Sequence, residues 1–555
     1  MKNRNKNKNK RNIYIILLIV LLLPVAWACS KNFLNQTDTQ GISSSTLFHK
    51  PQDGISLVNA IYDGFQHDNQ SFVLKALWYN ANYTSQDFFN WGADVSYNTY
   101  LFPVDFSSLN TYWNLSYQGI ARANSAIPII AQMHTNHVIT DSLANFLTGQ
   151  TYFLRGVYYY YLACTFGGVP LELNVVTNGL HGRSSQDSVF LQVVSDLTTA
   201  ANLLPWPENL APSDLGRATK GAALGYLGSA QMWLKKYSDA VTTFKQLLPH
   251  YSLMPNYMDI HEYNHQNNKE SLFELQFSLP GGSTPDWSYN NNEVTWNSSF
   301  MWPWETSNFG YTYANKLLYN SFEAGDIRKP ATIIGPGDTI ASPGIVAIGG
   351  IKNYAQVIAG FNGKLSLPAS HFTGTDGKII NTCGKVSDPW LGDQPGQLRS
   401  GYYGMKFWRD PNVSGNATAL SGAQAGKGVT AIFGDQNVIM LRLGEIYLSL
   451  AEAQFQSGDA AGAAASLAII RNRAWGNTTA PASPFGPDFM QMTLNEYRHE
   501  LAGDMSLWYD LRRTGLQIAY IQNTFNVAIP AGHDLLPIPQ SAIAVNPFLK
   551  QNPNY

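Results

Sequence analysis

The chain has 555 residues, a formal net charge of −2 at pH 7 and only 13% charged residues, which is about half the usual share. A protein that binds nucleic acid needs a basic face, so this charge balance argues against nucleic acid as a partner. The polar surface must be built from amides, hydroxyls and some of the 30 tyrosines and 14 tryptophans. Such a surface suits neutral polar ligands.

The first 28 residues are typical of a secretory signal peptide. Met1–Arg11 carries six basic and no acidic residues, and residues 13–28 are almost entirely apolar. This stretch is short for a membrane span and Pro24 interrupts it, so a membrane anchor helix is the weaker alternative. The small residues on either side of Trp27, just before Cys29, resemble the recognition site of lipoprotein signal peptidase and predict a lipid on Cys29. Ordinary cleavage nearby is the other alternative.

Four segments follow the signal peptide. Residues 29–50 are polar and predict a lipidated tether, and several acyl chains on Cys29 would anchor it stably in a membrane. Helical patterns dominate residues 51–277. They fade in residues 278–435, which are dense in Gly, Asn, Pro and Trp and predict an irregular, loop-rich ligand-binding insertion. Helical patterns return in residues 436–555, which end in an extended stretch.

Two helices of the first helical region have clear ends. The apolar pattern over Asn145–Cys164 predicts a buried helix that stops at Gly167, because Gly takes the left-handed turn and Pro170 prevents the helix from resuming. A second helix is predicted over residues 188–204. Cys164 is predicted to be a buried thiol rather than half of a disulfide bond.

Two further segments have the spacing of tetratricopeptide-like helical hairpins. In each, a small residue is followed by alanine at twelve residues and by a large apolar residue at sixteen residues. These residues are Gly228, Ala240 and Phe244 in residues 221–248, and Ala451, Ala463 and Leu467 in residues 445–470. Small residues at the contact point allow two antiparallel helices to approach closely. Two ordinary helical hairpins are the alternative interpretation.

Seven short motifs stand in order along the chain after Cys29. They are Phe33–Asn35, Leu154–Pro170, Gly216–Ala223, Phe322–Arg328, Leu441–Ala453, Leu535–Pro539 and Asn546–Pro553. Taken together, they resemble the motifs of the SusD/RagB family of Bacteroidetes across almost the whole mature chain.

The resemblance implies a mainly α fold, in which tetratricopeptide-like helical hairpins form an α-α superhelix with irregular loop and short-strand insertions. It also implies a non-enzymatic lipoprotein that faces outward from the outer membrane, captures oligosaccharides and delivers them to a SusC-like TonB-dependent transporter. A RagB-like uptake lipoprotein that binds peptides, or a protein-interaction scaffold of the same complex, is the alternative.

The segment Glu496–Arg513 resembles a charged helical motif of the family, with Leu507 where an arginine is common. We expect Glu496, Glu500 and Asp510 to belong to a buried structural network of arginine–carboxylate pairs rather than to a catalytic site. One ion pair of this network is then missing or replaced at Leu507.

A sugar site needs exposed aromatic rings for the C–H face of the ring and polar groups for its hydroxyls. Two stretches have this mixture, residues 78–100 and residues 287–313. The candidate ligand-binding residues are Asp87, Trp91 and Tyr97 in the first stretch, and Trp287, Trp296, Trp302 and Trp304 in the second. Core packing is the alternative for each aromatic side chain.

The sequence gives little support for an enzyme. A glycoside hydrolase would need two carboxylates facing one sugar, and the sequence places no two loop acids together. Nothing resembles a nucleophile elbow, a phosphate loop or a dinucleotide fingerprint in its required context. No catalytic residue, cofactor or metal ligand is predicted, although a loop rich in Asp and Asn leaves a structural calcium ion open.

Overall fold

The fold is taken from a computed structural model, which describes residues 48–66, 70–90, 94, 96–175, 179–277, 312–335, 338, 372–373, 379–381, 384–385, 398–399, 402–406 and 436–555. The predicted signal peptide, Cys29 and the tether up to residue 47 lie outside these residues. Most of the predicted insertion over residues 278–435 also lies outside them, so the division of the chain at residues 277 and 435 stays a prediction. Contacts group the chain into two units, Met1–Asp53 and Gly54–Tyr555.

Helices form most of the described chain. The α-helices are α1 (Pro51–Gln66), α2 (Asn80–Asn82), α3 (Ser96–Thr99), α4 (Ser107–Thr135), α5 (Asp141–Phe166), α6 (Gln186–Leu203), α7 (Lys220–Trp233), α8 (Tyr237–Lys245), α9 (Lys316–Ser321), α10 (Arg328–Thr332), α11 (Leu443–Gln456), α12 (Ala460–Ala474), α13 (Phe489–Leu501), α14 (Leu507–Thr514), α15 (Gln517–Phe525) and α16 (Gln540–Val545). A π-helix, Gln70–Tyr79, precedes α2.

Strands in the described residues are short and pair only in twos. They are β1 (Phe88–Asn90), β2 (Ser271–Leu275), β3 (Thr312–Ala314), β4 (Ile333–Ile334), β5 (Phe372–Thr373), β6 (Ile379–Asn381), β7 (Gly384–Lys385), β8 (Leu398–Arg399), β9 (Tyr403–Gly404) and β10 (Val438–Arg442). The antiparallel pairs are β1 with β3, β2 with β10, β4 with β9, β5 with β6 and β7 with β8. The prediction of a mainly α fold with short-strand insertions is confirmed.

Consecutive helices pack on one another to form the scaffold. Helix α4 packs on α5, α5 on α6, α6 on α7 and α7 on α8. Helix α8 then packs on α11, which also contacts α12 and α13. The two predicted hairpins, α7–α8 and α11–α12, are therefore neighbours in the stack although a long stretch of sequence separates them.

The two hairpins repeat each other in detail. In the first, Gly228 lies against the ring of Phe244, as the spacing predicts, and Thr243 Oγ1 donates to Gln231 Oε1 at 2.8 Å. In the second, the side chains of Ser466 and Gln454 are hydrogen bonded at the equivalent positions. Such matching contacts identify two copies of one structural unit rather than two unrelated hairpins.

Helix α5 forms the centre of the core. The Thr140 side chain accepts from the amide of Leu143 at its start, and Gly167 ends it with a φ of 75°. The helix predicted over Asn145–Cys164 is thus confirmed, with a longer span, and so is the predicted helix over residues 188–204, which appears as α6. Cys164 is a buried free thiol, as predicted, and burial raises its pKa far above the ordinary value.

Residues 512–555 return to the C-terminal end of α5. Arg512 donates to the carbonyl oxygen of Cys164, and Asn552 Nδ2 donates to that of Phe166 at 3.1 Å. Arg183 binds the Asn552 side chain at 2.6 Å and the Lys550 carbonyl at 3.0 Å. The carbonyl groups that the end of a helix leaves unpaired therefore accept hydrogen bonds here both from the far end of the chain and from Arg183, which donates to the carbonyl oxygen of Phe166 at 3.1 Å.

Candidate functional site

The two predicted ligand-binding stretches meet at one short sheet. Strand β1 pairs with β3, and Asn90 lies opposite Thr312. The chain leaves β1 directly into Trp91, and it enters β3 directly from the second stretch. Because paired strands lie about 5 Å apart, the two stretches connect to the same end of the same ladder.

Buried and half-buried polar side chains hold this ladder in place. The Tyr83 hydroxyl and Thr312 Oγ1 lie 2.7 Å apart. Asn98 Nδ2 donates to the carbonyl oxygens of Tyr83 and Phe88 at 2.9 and 2.8 Å, and Asn98 Oδ1 accepts from the amide of Asn90 at 3.3 Å. One amide side chain thus ties together the segments that come before, within and after β1.

The surroundings of the ladder are filled. Residues 402–406 lie beside it, because the amide of Ala314 donates to the carbonyl of Tyr402 at 2.8 Å. Between Trp78 and Gly404 there is a void of about 10 Å³, which is at most the room of one water molecule. In the described residues the ladder is therefore a platform and not itself a pocket.

The structure corrects the prediction for Tyr97. Its side chain is fully buried, and its ring packs edge-on against Phe102 with centroids 5.0 Å apart and against Tyr79 at 6.0 Å. Burying a ring of this size is strongly favourable, and the neighbouring aromatic side chains close over it. Tyr97 therefore offers no surface to a ligand in this structure, and core packing describes its position.

Asp87 is corrected in the same way. Its carboxylate is fully buried and pairs with Arg498 of α13, with Oδ1 2.8 Å from Nε. Burial raises the pKa of the Asp87 carboxyl above its ordinary value, and the charge of Arg498 opposes that rise. The backbone carbonyl of Asp87 also accepts from the amide of Asn315 at 2.8 Å. Asp87 anchors the ladder to α13 instead of facing a sugar.

The other candidates cannot be placed. Trp91, Trp287, Trp296, Trp302 and Trp304 lie outside the described residues, so their contact with a ligand stays a prediction.

Sequence reasoning missed the structural use of the asparagines in the first stretch. Asn82 Nδ2 donates to the carbonyls of Trp78 and Asp504 at 3.0 and 2.7 Å, and Asn80 Nδ2 donates to the Tyr509 hydroxyl at 3.1 Å. These amides are buried and satisfy backbone and side-chain groups distant in sequence. No local pattern separates such an amide from one that faces a ligand.

The predicted charge network is present and buried. Ten of its described members are the arginines and lysine Arg328, Lys406, Arg442, Arg471 and Arg473 and the carboxylates Glu270, Asp326, Glu496, Glu500 and Asp504. All ten side chains are at most 8% exposed. A substrate would have to displace an ion pair to reach any of these acids.

The arginines set the protonation of the central acids. Burial raises the pKa of Glu500, but Arg473, Arg442 and Arg328 together hold it well below its usual range. Burial lowers the pKa of Lys406 to about 8, although the Asp504 carboxylate, 3.2 Å away, acts to raise it. The arginines therefore hold Glu500 as a fixed negative charge, as a structural role requires.

Two further predicted features find their place in the same region. Leu507, where the family often has arginine, is fully buried as an apolar residue at the start of α14. Asp510 pairs with Arg513 at 3.1 Å, and burial raises the pKa of Asp510 to about 6.

Within the described residues, no three His, Cys, Asp or Glu side chains are grouped as metal ligands, and no helix has the length and apolar character of a membrane span.

Known proteins share these motifs and this architecture. A family model described as the SusD family matches residues 269–555, more than half of the chain. The chain belongs to the SusD family. A second SusD-like model, described as starch-binding associating with outer membrane, matches residues 42–232. The motifs Gly216–Ala223 and Asn546–Pro553 fall within these ranges, and the family resemblance is confirmed.

Individual SusD-like proteins match over most of their length. SusD-like protein P25 of Formosa agariphila is 25% identical over 494 residues, which cover 83% of this chain and 80% of that protein. A solved laminarin binding SusD-like protein superposes with a TM-score of 0.67 at 22% identity, covering 91% of this chain and 99% of the other. Surface glycan-binding protein A from Bacteroides thetaiotaomicron, solved in complex with laminarihexaose, gives 0.66 at 20% identity over 91% and 99%. At these identities the solved structures establish the shared fold.

Proposed function

We propose that this SusD-family chain is a lipoprotein of the outer-membrane surface that binds oligosaccharides and passes them to a SusC-like TonB-dependent transporter. The observation that carries the proposal is the β1–β3 ladder. Its pairing of Asn90 with Thr312 connects the stretch that begins at Trp91 to the stretch that carries four candidate tryptophans. Two aromatic stretches on one platform suit a ligand with flat apolar faces.

A pyranose ring is such a ligand. Its C–H face stacks on an aromatic ring, while its hydroxyls need amides or other polar groups at the edge. The low share of charged residues, 13%, favours a neutral ligand over an ionic one. Two solved relatives of the same fold are named for binding laminarin or laminarihexaose, which supports a saccharide for this chain.

The platform meets the requirement of a rigid support. A binding site is more precise when fixed elements hold its residues in position. Asn98 ties β1 to its flanking segments, and the pair of Asp87 with Arg498 ties it to α13. The ends of β1 and β3 from which the chain continues into the two candidate stretches are therefore fixed points.

A non-enzymatic role is part of the proposal. The acids Glu496 and Glu500 are fully buried, and their carboxylates pair with arginines. Asp87 pairs in the same way with Arg498. These acids are buried and paired within the protein, which leaves none of them in a position to face a glycan, as its hydrolysis requires.

Calorimetry with the soluble form that starts at Ser30 tests the proposal. We expect laminarihexaose or another oligosaccharide of a neutral panel to bind, and Trp91→Ala or Trp296→Ala to abolish that binding while the melting temperature is kept. Trp206→Ala is the matched control, because Trp206 stacks on His250 and belongs to neither candidate stretch. Saturable binding of peptides alone would favour the peptide alternative, and release of reducing sugar would overturn the non-enzymatic role.

Anchorage and partnership need a separate experiment. We expect Cys29→Ser to release the protein from the membrane fraction of its host, since the lipid on Cys29 is the proposed anchor. We also expect the wild-type protein to co-purify in detergent with a TonB-dependent barrel. Retention of the variant in the membrane fraction, or purification without any barrel, would contradict these two parts of the proposal.

A further inference from the structure

A cleft of about 580 Å³ opens between α4, the segment after α5 and α16. No residue of the β1–β3 ladder lines it. Its volume is typical of small-molecule sites, which measure about 300–1,000 Å³. We call it the amide cleft, after Asn114 and Asn174 at its rim.

The floor of the amide cleft is aromatic. Tyr117 is half-buried, and its hydroxyl donates to the carbonyl of Pro170 at 2.9 Å, which fixes the ring. Trp113 supports it from beneath, with ring centroids 4.9 Å apart, and in turn packs edge-on against Phe166. Hence the ring of Tyr117 is a rigid, flat surface for stacking.

The rim carries polar groups that the protein does not use. Within the part of the chain that the structure describes, the Ser125 hydroxyl and the side-chain amide of Asn174 make no hydrogen bond. The Asn114 side chain makes only a long contact of 3.4 Å, to Asn110. The buried side chain of Asn124 differs from these rim groups, because its Nδ2 donates to the carbonyls of Glu172 and Asn174. The rim groups are therefore available to the hydroxyls of a ligand.

The charge of the amide cleft limits its occupant further. Glu172 is the only acidic or basic residue among the described lining residues, and its Oε1 lies 2.6 Å from Nδ1 of His181. With no lysine or arginine in the lining, phosphate and carboxylate ligands have no counter-charge. A hydrocarbon chain would make no use of the amide and hydroxyl groups at the rim. A neutral molecule with one flat apolar face and many hydroxyls fits both the aromatic floor and the polar rim of the cleft.

We propose that the amide cleft is a second binding site for a neutral saccharide, with one sugar ring stacked on Tyr117 and its hydroxyls bonded to Asn114, Ser125 and Asn174. The inference rests on the proposed function, because it assigns the same class of ligand to a separate place. Two sites on one molecule raise the avidity for a long polysaccharide above that of either site alone.

Hydroxyl-radical footprinting of the full chain in detergent tests the inference, with laminarihexaose, maltohexaose and a neutral hexapeptide as probes. We expect a saccharide to reduce oxidation of Tyr117 several-fold. Ala121→Trp should abolish this protection, because Ala121 is an exposed lining residue of α4 and an indole there fills the cleft. Gln118→Trp, at an exposed position of α4 outside the lining, should keep it.

The outcomes separate the two proposals. Saccharide protection of the peptides that contain Trp91 or Trp296, without protection of Tyr117, overturns the second site and keeps the proposed function. Protection of Tyr117 alone supports the amide cleft and contradicts the ladder as the platform of the main site. Protection of Tyr117 by the hexapeptide only, or by none of the probes, overturns a saccharide in the cleft. Equal protection of Tyr117 in Ala121→Trp and in the wild type also overturns a saccharide in the cleft.

Discussion

The stacked helical hairpins and the buried charge network around α13, here called the charged junction, are held together by different forces. In α7–α8 and α11–α12, small residues allow close approach and apolar side chains fill the remaining space, as Gly228 and Phe244 show. At the junction, arginines and carboxylates from α10, β10, α12 and α13 and from the segments beside them pair with one another away from solvent. The hairpins depend on shape, whereas the junction depends on every charge keeping its partner.

This difference predicts unequal tolerance to substitution. Apolar packing loses energy in proportion to the atoms removed or forced together. A buried ion network loses much more when one partner is removed, because the charge left behind has neither water nor a counter-ion. The following substitutions test this contrast, from the largest expected effect to the smallest.

Arg442→Met should give the largest loss. Arg442 binds Glu270 at 2.9 Å and Asp504 at 2.7 Å and also contacts Glu500, so its removal leaves three buried carboxylates short of a cation. We expect the free energy of unfolding to fall by about 3–5 kcal/mol, measured by urea denaturation. Arg122→Met is the control: Arg122 pairs with Asp63 at a half-exposed site, where a salt bridge contributes about 0–1 kcal/mol. Equal losses in the two variants would contradict the contrast.

Lys406 should give the junction a pH dependence. Its pKa is lowered by burial from 10.5 to about 8, so between these values the unfolded chain binds more protons than the folded chain. Stability from this group therefore rises with pH in that window. Relative to Lys406→Met, the wild type should gain on the order of 3 kcal/mol between pH 8 and pH 10.5. A difference that stays flat across the window would show that Lys406 keeps its proton in the folded state.

Gly228→Ala should disturb the first hairpin moderately. A Cβ atom at this position would overlap the ring of Phe244, and such overpacking costs about 1–3 kcal/mol. Ser238→Ala, at an exposed position of α8 in the same hairpin, is the control and should leave the melting temperature almost unchanged. A stabilised Gly228→Ala protein would mean that the ring moves aside freely and that the close approach is not needed.

Thr243→Val and Ser466→Ala should have the smallest effects and should resemble each other. Each removes the hydrogen bond that joins the two helices of its hairpin, to Gln231 or to Gln454. A net loss of about 0.5–1.5 kcal/mol is typical for such a bond. Thermal unfolding of both variants checks the structural equivalence of the hairpins. A clearly larger loss in one of them would show that the hairpins differ in how they are supported.

The same contrast explains what the sequence could and could not predict. The contact of Gly228 with Phe244 lies within one hairpin, so a fixed spacing reveals it. Arg498 and Asp87 are 411 residues apart in sequence, and no spacing rule connects them. Asp87 therefore looked like a loop acid available to a sugar, although it is a buried anchor. The family motifs predicted that the acids of Glu496–Arg513 are structural, but not which arginines they bind.

The candidate site was predictable only as two separate stretches. Composition marked both as rich in aromatic and amide side chains, but it could not separate Tyr97, whose ring is buried, from a ring that faces solvent. The pairing of β1 with β3 involves only three residues on each strand, too few for a recognisable alternation. The meeting of the two stretches therefore emerges from the structure alone.

The return of residues 512–555 to α5 bears on the order in which the protein matures. The ribosome delivers α5 long before Arg512 and Asn552, yet the carbonyl groups of Cys164 and Phe166 at its end accept hydrogen bonds from these two residues. The carbonyl oxygen of Phe166 also accepts from Arg183 at 3.1 Å, so a residue delivered soon after α5 satisfies part of this end, while the contacts of Arg512 and Asn552 come last. A prematurely terminated product lacks the contacts that Arg512 and Asn552 make with this end of the central helix, and we expect proteases to cut such a product sooner than the full chain.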